Sequence, residues 1–283
     1  MKLLRRIRPL RHSLETLRQS EKSIGFVPTM GGLHEGHLSL VRAAKRDNDC
    51  VVVSIFVNPM QFGPKEDFKR YPRSLARDLA LLRKEGVNFV LCPPAVEIYP
   101  VDFQTHVSVK NLSAPLCGRT RPTHFSGVAT VVLKLLNIVK PHRLYLGQKD
   151  FQQARVLEQM IEDLGLDVRV RCLPIVREAD GVAMSSRNVF LKKEERRVAP
   201  LLYQALLECR RQIKCGEKNT QRLLKKTRSQ LDALSCGRLD YLEIVDAGTL
   251  RPVVKLKKGQ TVLAALAYFF SNTRLIDNEL IKG

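Results

Sequence analysis

The chain of 283 residues contains no tryptophan, only 6% aromatic residues and no uninterrupted apolar run long enough to cross a bilayer. A membrane-spanning helix needs about 20 predominantly apolar residues, so we expect no membrane association. The N-terminus is basic but lacks the apolar core and cleavage site of a signal peptide, which indicates a cytoplasmic protein. The shortage of aromatic rings also removes the platforms on which nucleic-acid bases stack.

Cysteine pairing is absent from the sequence pattern. The seven cysteines are scattered along the chain, odd in number and contain no C-x-x-C motif. This pattern disfavours both a disulfide framework and a zinc site built from thiolates, so we expect reduced thiols.

Positive charge is the most unusual feature of the composition. The formal net charge is +20, and the excess is spread along the chain without a basic tail or block. A polyanionic partner is one interpretation of such a charge. Without a basic cluster or aromatic interleaving, we expect a solvated basic surface around a site for small anions, and no nucleic-acid partner.

Short apolar segments alternate with amphipathic ones over residues 1–176. Segments rich in β-branched residues predict strands at 23–28, 50–57, 87–92, 143–147 and 168–176. Helical periodicity predicts helices at 38–46, 74–86, 127–140 and 151–165. Continuous apolar strands alternating with helices are typical of a doubly wound parallel sheet in an α/β domain; the family resemblance described below implies that this domain is Rossmann-like.

Residues 177–283 have a different pattern. A polar loop leads into two helical stretches rich in Lys and Arg, 193–214 and 219–235, and then into strand-like segments at 241–247 and 261–270. We predict a smaller C-terminal α+β domain that closes over the first one as a lid.

The stretch GGLHEGH follows the first predicted strand and places His34 and His37 three residues apart at a helix start. Core histidines, a pair of metal ligands and two contacts to a phosphate are the possible interpretations. A third metal ligand at recognisable spacing is missing, and a glycine-rich turn before a helix suits an anion. A phosphate site is favoured.

Three further loops carry polar residues. Asn58 and Gln61 end the second strand and suit either a hydroxylated acid or the capping of a turn. Lys149 and Asp150 follow the 143–147 strand, where the alternative is an N-cap aspartate beside a surface lysine. The loop AMSSRN, residues 183–188, offers hydroxyls and a guanidinium suited to polyphosphate oxygens.

These segments also resemble a known family. The chain is similar to the pantoate–β-alanine ligases of the nucleotidyltransferase superfamily in seven segments: PTMGGLHEGHLSLV, SIFVNPMQF, YPRSL, RPTHFSGVATVVLKLLNIVKP, GQKDFQQ, VREADGVAMSSRN and TRLIDN. The resemblance implies that ATP activates (R)-pantoate as pantoyl adenylate, releasing diphosphate. The amine of β-alanine then displaces AMP to form pantothenate.

The resemblance also implies site residues. The ATP-binding residues would be Met30, Gly31, Gly32, Leu33, His34, Glu35, Gly36, His37, Gly147, Gln148, Lys149, Asp150, Val176, Met184, Ser185, Ser186 and Arg187. His37, His34, Lys149 and Arg187 would be catalytic, with His37 the family's proton donor. Gln61 and Gln153 would bind pantoate, Gln61 would also lie near β-alanine, and Arg121 and His124 would line the pocket.

Magnesium and a second subunit complete the expectation. Mg²⁺ would accompany ATP, with Asp78 nominated to hold a magnesium-bound water, and the family usually forms homodimers. Two alternatives stay open: a nucleotidyltransferase of the same superfamily acting on a phosphate acceptor, and a basic RNA-binding protein. The neutral amides of Gln61 and Gln153 argue against the first, and the full set of four ligand loops argues against the second.

Overall fold

The computed structural model describes residues 1–64 and 66–283 and contains two sheets. The strands are β1 (Lys2–Leu4), β2 (Ile24–Thr29), β3 (Cys50–Ile55), β4 (Phe89–Leu91), β5 (Arg143–Gly147), β6 (Arg169–Leu173), β7 (Arg238–Asp246), β8 (Thr261–Phe270) and β9 (Thr273–Lys282). The helices are α1 (Ile7–Gln19), α2 (Glu35–Asp47), α3 (Leu75–Lys84), α4 (Ala95–Ile98), α5 (Lys110–Ser113), α6 (Cys117–Thr120), α7 (His124–Val139), α8 (Phe151–Asp163), α9 (Lys193–Val198), α10 (Pro200–Lys214) and α11 (Thr220–Asp232).

The chain divides into two compact units. The first comprises residues 1–113 and 121–174, and the second comprises residues 114–120 and 175–283. The boundary predicted between residues 176 and 177 lies two residues away from the division at 174/175. Val176 therefore lies in the second unit. The excursion of residues 114–120 into that unit has no counterpart in the sequence pattern.

The first unit contains a six-stranded parallel sheet in the order β1-β4-β3-β2-β5-β6. The predicted α/β fold is confirmed. From β2 the chain proceeds through β3 to β4 on one side, and β5 and β6 then extend the sheet on the other side. The topological switch point thus lies between β2 and β5, where ligands of doubly wound sheets bind beyond the carboxyl ends of the strands.

Alternate strand residues serve two cores. Phe26, Val52 and Leu144 join one core together with the inner faces of α1, α7 and α8. Their neighbours Val27, Val53 and Tyr145 join the other, with α2 and α3. Because successive side chains point to opposite faces of a strand, a sheet covered on both sides needs apolar residues at every position. This requirement explains the continuous run CVVVSI of β3, which is buried throughout.

The second unit is an antiparallel sheet, β7-β8-β9, whose core also includes α10 and α11. The prediction of a single helix over 193–214 is wrong, since the structure has two helices there. The helix is divided into α9 and α10 because Pro200, which has no N–H to donate, begins a new helix at its N1 position. Within residues 1–64 and 66–283, no helix has the length and apolar character of a membrane span.

Candidate active site

The turn that follows β2 is shaped by two glycines and one buried carboxylate. Gly31 and Gly32 have positive φ angles of 83° and 62°. The amides of Gly32 and Leu33 donate to Oδ2 and Oδ1 of Asp78, both at 2.9 Å. Those two N–H groups are therefore directed into the protein and are already paired with a carboxylate.

His34 and His37 both use Nδ1 as an acceptor. His34 caps α2, and its Nδ1 accepts from the amide of Gly36 at 3.2 Å. Nδ1 of His37 accepts from the amide of His34 at 3.4 Å, and the two ring centroids are 4.1 Å apart. A neutral imidazole whose Nδ1 accepts must carry its proton on Nε2. Both rings therefore present Nε2–H as a donor.

The protonation state of His37 follows from its surroundings. Burial, followed by electrostatic repulsion from the adjoining His34 ring and from Lys149, holds the pKa of His37 well below its usual range. The ring is therefore neutral near pH 7. Of the three sequence interpretations, the paired Nε2–H donors suit phosphate oxygens. No group of three or more His, Cys, Asp or Glu suited to a metal ion occurs in residues 1–64 and 66–283.

A hydrogen-bonded chain of side chains orients Gln61 beyond the end of β3. Asn58, 1% exposed, accepts from the Tyr99 hydroxyl at 2.8 Å and from the amide of Met60 at 3.3 Å. Its Nδ2 donates to Oε1 of Gln61 at 3.2 Å. Asn58 is thus the turn cap that the sequence allowed, and it also determines which way the amide of Gln61 faces. The nitrogen of Gln61 lies 3.0 Å from Sδ of Met30.

The backbone of Gln61 is held from the helical side. The Arg121 guanidinium donates to its carbonyl oxygen at 3.1 Å, and Nδ1 of His124 lies 2.9 Å from the same oxygen. Arg121 also pairs with Glu66, at 2.7 Å through Nε. Burial and the Arg121 charge lower the pKa of His124 to about 4. Arg121 and His124, the two residues predicted to line the pocket, therefore hold Gln61 through its backbone carbonyl.

The end of β5 places a cation close to His37. Gln148–Asp150 form a short 3₁₀ turn before α8, and the charge of Lys149 reaches His37. Nζ of Lys149 lies 3.5 Å from Oδ2 of Asp150. Asp150 occupies the N-cap position of α8 but makes no capping bond through its side chain, which disfavours the capping alternative. Gln153 lies in the first turn of α8 and is partly exposed.

The second unit carries the other predicted phosphate loop. Its start is a short hairpin in which the amide of Met184 donates to the carbonyl of Val176 at 3.0 Å. Oγ of Ser185 accepts from the amide of Arg187 at 3.2 Å and begins a 3₁₀ turn over Ser186–Phe190. Nδ2 of Asn188 donates to Glu178 at 2.6 Å. The loop therefore has a defined shape within its own unit.

Comparison with known proteins identifies the family. The family model described as Pantoate-beta-alanine ligase matches residues 2–280. The chain belongs to this family. It is 52% identical over 281 residues to the pantothenate synthetase of Thermotoga petrophila, covering 99% of this chain and 100% of that one.

Solved structures of other pantoate–β-alanine ligases have the same fold. The Thermus thermophilus pantothenate synthetase matches with a TM-score of 0.92 and 46% identity, over 99% of each chain. The Francisella tularensis pantoate–β-alanine ligase, a complex with Beta-gamma ATP and Beta-alanine, matches with a TM-score of 0.80 and 35% identity, over 99% of this chain and 97% of that one. The resemblance inferred from the sequence is thereby confirmed, as is the α/β fold with a smaller unit.

The structure of this pantoate–β-alanine ligase adds residues that no sequence motif indicated. Tyr99 and Glu66 act through Asn58 and Arg121, and neither lies in a recognisable pattern. Asp78 also anchors the turn: both its oxygens accept backbone N–H groups and it is 1% exposed. The magnesium-bound water that the sequence predicts at Asp78 stays a prediction.

Proposed function

We propose that this chain condenses (R)-pantoate with β-alanine at the expense of ATP, forming pantothenate, AMP and diphosphate through a pantoyl adenylate. Family membership supports the reaction. The Francisella tularensis neighbour, which is complexed with Beta-gamma ATP and Beta-alanine, supports two of the substrates. The observation that carries the proposal is the neighbouring placement, at the ends of β3, β2 and β5, of an oriented amide, two Nε2–H donors and a lysine.

The first step needs charge neutralised on ATP. The pantoate carboxylate attacks the α-phosphorus, and the bond from that phosphorus to the diphosphate oxygen breaks. Nε2–H of His34 and of His37 would donate to the departing diphosphate, while Lys149 would stabilise charge on the α-phosphate. Because His37 is neutral, it would act as a hydrogen-bond donor that keeps its proton.

Pantoate would be selected by amides. Gln61 presents its Nε2 as a donor because Asn58 occupies its Oε1. A donor amide suits the carboxylate or hydroxyl oxygens of pantoate, and Gln153 would supply a second amide. Gln61 would also lie near β-alanine in the second step, where the amine attacks the acyl carbon and AMP departs with the bonding electrons.

The residues proposed to hold the nucleotide are those that the family resemblance implies. Met30–His37 and Gly147–Asp150 would lie along ATP, with Asp150 on the ribose. Val176 would lie against adenine, and Met184, Ser185, Ser186 and Arg187 would hold the triphosphate. Arg187 adds a guanidinium, which suits phosphate through its paired donors.

Magnesium would enter with the nucleotide. The described residues offer no carboxylate cluster for it, and both oxygens of Asp78 accept amide N–H groups. We therefore propose that Mg²⁺ would be held by the phosphates of ATP.

We also propose a cytoplasmic homodimer. Light scattering after size-exclusion chromatography would test the dimer by its mass.

The deciding experiment is isotope exchange between ATP and diphosphate. We expect exchange that requires pantoate and Mg²⁺ but not β-alanine, because adenylate formation precedes amide formation. Exchange without pantoate, or no exchange at all in a folded preparation, would contradict the proposed ligase reaction.

The RNA-binding alternative is tested separately. We expect any RNA affinity to be weak and to fall steeply between low and physiological salt, because only counterion release would drive it. A salt-resistant, sequence-selective complex would favour that alternative.

A further inference from the structure

Asp78 is a buried carboxylate that makes two backbone contacts with the turn preceding the histidines. It lies in the first turn of α3 and is 1% exposed. Its Oδ2 accepts from the amide of Gly32 and its Oδ1 from the amide of Leu33, each at 2.9 Å. A carboxylate removed from water is costly unless hydrogen bonds compensate, and two charge-assisted bonds of this length are strong ones.

The turn closes tightly onto this carboxylate. A Cβ atom at Gly31 would lie 3.1 Å from Oδ2 of Asp78 and 3.2 Å from Cγ2 of Ile55. Gly31 also has a φ of 83°, which side chains other than glycine rarely adopt. The positive φ of Gly31 and the carboxylate of Asp78 therefore depend on each other: the turn directs the two successive amides of Gly32 and Leu33 at one carboxylate.

The anchored residues directly precede the histidines. Leu33, 1% exposed, is followed by His34, whose backbone and ring make the bonds that hold both imidazoles. The direction in which each Nε2–H points thus depends on where the peptide of Leu33 lies. The 2.9 Å bond that Leu33 donates to Asp78 fixes that position. The acceptor is not part of the turn, because Asp78 is 45 residues away from Leu33 in the sequence.

We propose that Asp78 is a positioning residue for the first chemical step. By holding the amides of Gly32 and Leu33 it aims His34 and His37 at the leaving diphosphate, without touching substrate itself. This inference rests on the proposed function.

The test compares Asp78→Asn with the parent in pantoate-dependent ATP–diphosphate exchange. Asparagine keeps one acceptor but turns an NH₂ group against the second amide, so the turn must shift. We expect kcat to fall by about tenfold or more, while the KM for pantoate changes by less than about twofold because Gln61 and Gln153 are held by other elements. An unchanged kcat with only a lower thermal midpoint would overturn the proposal, since that is what a merely structural carboxylate gives.

Asp49→Asn is the matched control. Asp49 Oδ2 accepts from the amide of Ser23 at 2.9 Å, at the opposite end of β2 from the histidine turn. The substitution perturbs the same type of bond, from a backbone amide to a carboxylate, at a residue that flanks the other end of β2. We expect a loss of stability similar in kind, with kcat and KM within about twofold of the parent. A loss of kcat as large as that of Asp78→Asn would show a general effect of the strand and overturn the assignment.

A measurement on the unaltered protein covers the case in which Asp78→Asn does not fold. Hydrogen exchange followed by NMR reports each amide, and a loop amide without a partner exchanges quickly. We expect the amides of Gly32 and Leu33 to be protected to the degree of sheet amides. Rapid exchange at both would overturn the proposal. If the parent shows no pantoate-dependent ATP–diphosphate exchange while these amides are protected, the proposed function fails, whereas the hydrogen bonds from Gly32 and Leu33 to Asp78 are confirmed.

Discussion

The chemistry available to His34 and His37 depends on which ring nitrogen is already engaged. Each Nδ1 accepts a backbone N–H, so each neutral ring offers a proton only through Nε2. Protonating His37 would put a proton on the Nδ1 that accepts from His34. The buried ring, close to the charge of Lys149, resists that change, and its pKa is lowered accordingly. The structure thus favours hydrogen-bond donation over proton transfer by His37.

The pH dependence of the first step tests this difference. If His37 had to be protonated, exchange would accelerate as the pH falls from 8 to 6. Because its pKa is well below 6.5, the ring stays neutral across that range and we expect no acceleration from it. The rate should be measured relative to His37→Gln in the same buffers, which cancels the titration of ATP and diphosphate. If the ratio of the parent's exchange rate to that of His37→Gln rose about tenfold towards pH 6, His37 would be shown to act as a proton donor.

Lys149 should accelerate the first step through its positive charge. Replacing Lys149 with alanine removes a cation aimed at charge that grows in the transition state. We expect the exchange rate to fall by about 10²-fold or more. Lys45→Ala, which removes an exposed lysine from α2, is the control and should leave the rate within about twofold. A near-parental rate for Lys149→Ala would remove this residue from the mechanism.

At the scale of elements, the start of α7 supports the turn that carries Gln61. The carbonyl of Gly127 accepts from Nδ2 of Asn58 at 3.0 Å. A Cβ atom at Gly127 would lie 2.2 Å from the carbonyl oxygen of Met60 and 2.7 Å from the amide of Gln61. Helix and turn are therefore in backbone contact, and only glycine permits this separation.

Gly127→Ala should displace Gln61. The added methyl group cannot be accommodated without moving the backbone of the 59–61 turn, and overpacking of this kind costs about 1–3 kcal/mol. We expect the KM for pantoate to rise on the order of tenfold, together with a lower thermal midpoint. Gly248→Ala is the control, because its Cβ would meet only Oδ1 of Asp246 at 3.4 Å. An unchanged KM for pantoate in Gly127→Ala would contradict the supporting role of α7.

At the scale of the whole molecule, we expect acid to lower the free energy of unfolding by protonating buried histidines in the unfolded chain. His37 and His124 both have a pKa lowered chiefly by burial, that of His124 to about 4. In the unfolded chain they would bind protons below about pH 6.5, whereas the folded chain excludes them. The unfolded state then binds more protons, so the free energy of unfolding declines as the pH falls from 6.5 towards 4.

Urea denaturation at several pH values measures this effect. We expect His124 to account for a loss on the order of 2 kcal/mol between pH 7 and pH 4.5. The variant His124→Asn should be less stable at pH 7 but should lose less between the two pH values. His12→Asn, on an exposed position of α1, should keep the parental slope. A parental slope in His124→Asn would show that other groups dominate the acid response.

Much of the fold and several parts of the site were accessible from sequence patterns. The apolar runs around β2, β3 and β5 predicted a parallel sheet, because only strands covered on both faces need apolar residues at every position. Polar residues directly after those runs predicted a site at one edge, since the carboxyl ends of parallel strands lie together. The division at Pro200 and the excursion of residues 114–120 escaped prediction, the first because helical periodicity continues across it and the second because its packing is not local.

The family, the α/β architecture and the strand ends that carry polar groups can all be read from the amino-acid sequence, because they follow from local periodicity and contiguous motifs. The contacts of each polar group, in contrast, are visible only in the folded chain. The tertiary structure placed β2 between β3 and β5, assigned the Nδ1 atoms of both histidines to backbone amides and directed the Gln61 amide through Asn58. It also brought the carboxylate of Asp78 to the amide of Gly32, which lies 46 residues away in the sequence. Such assignments depend on hydrogen bonds between distant segments, which no local pattern records.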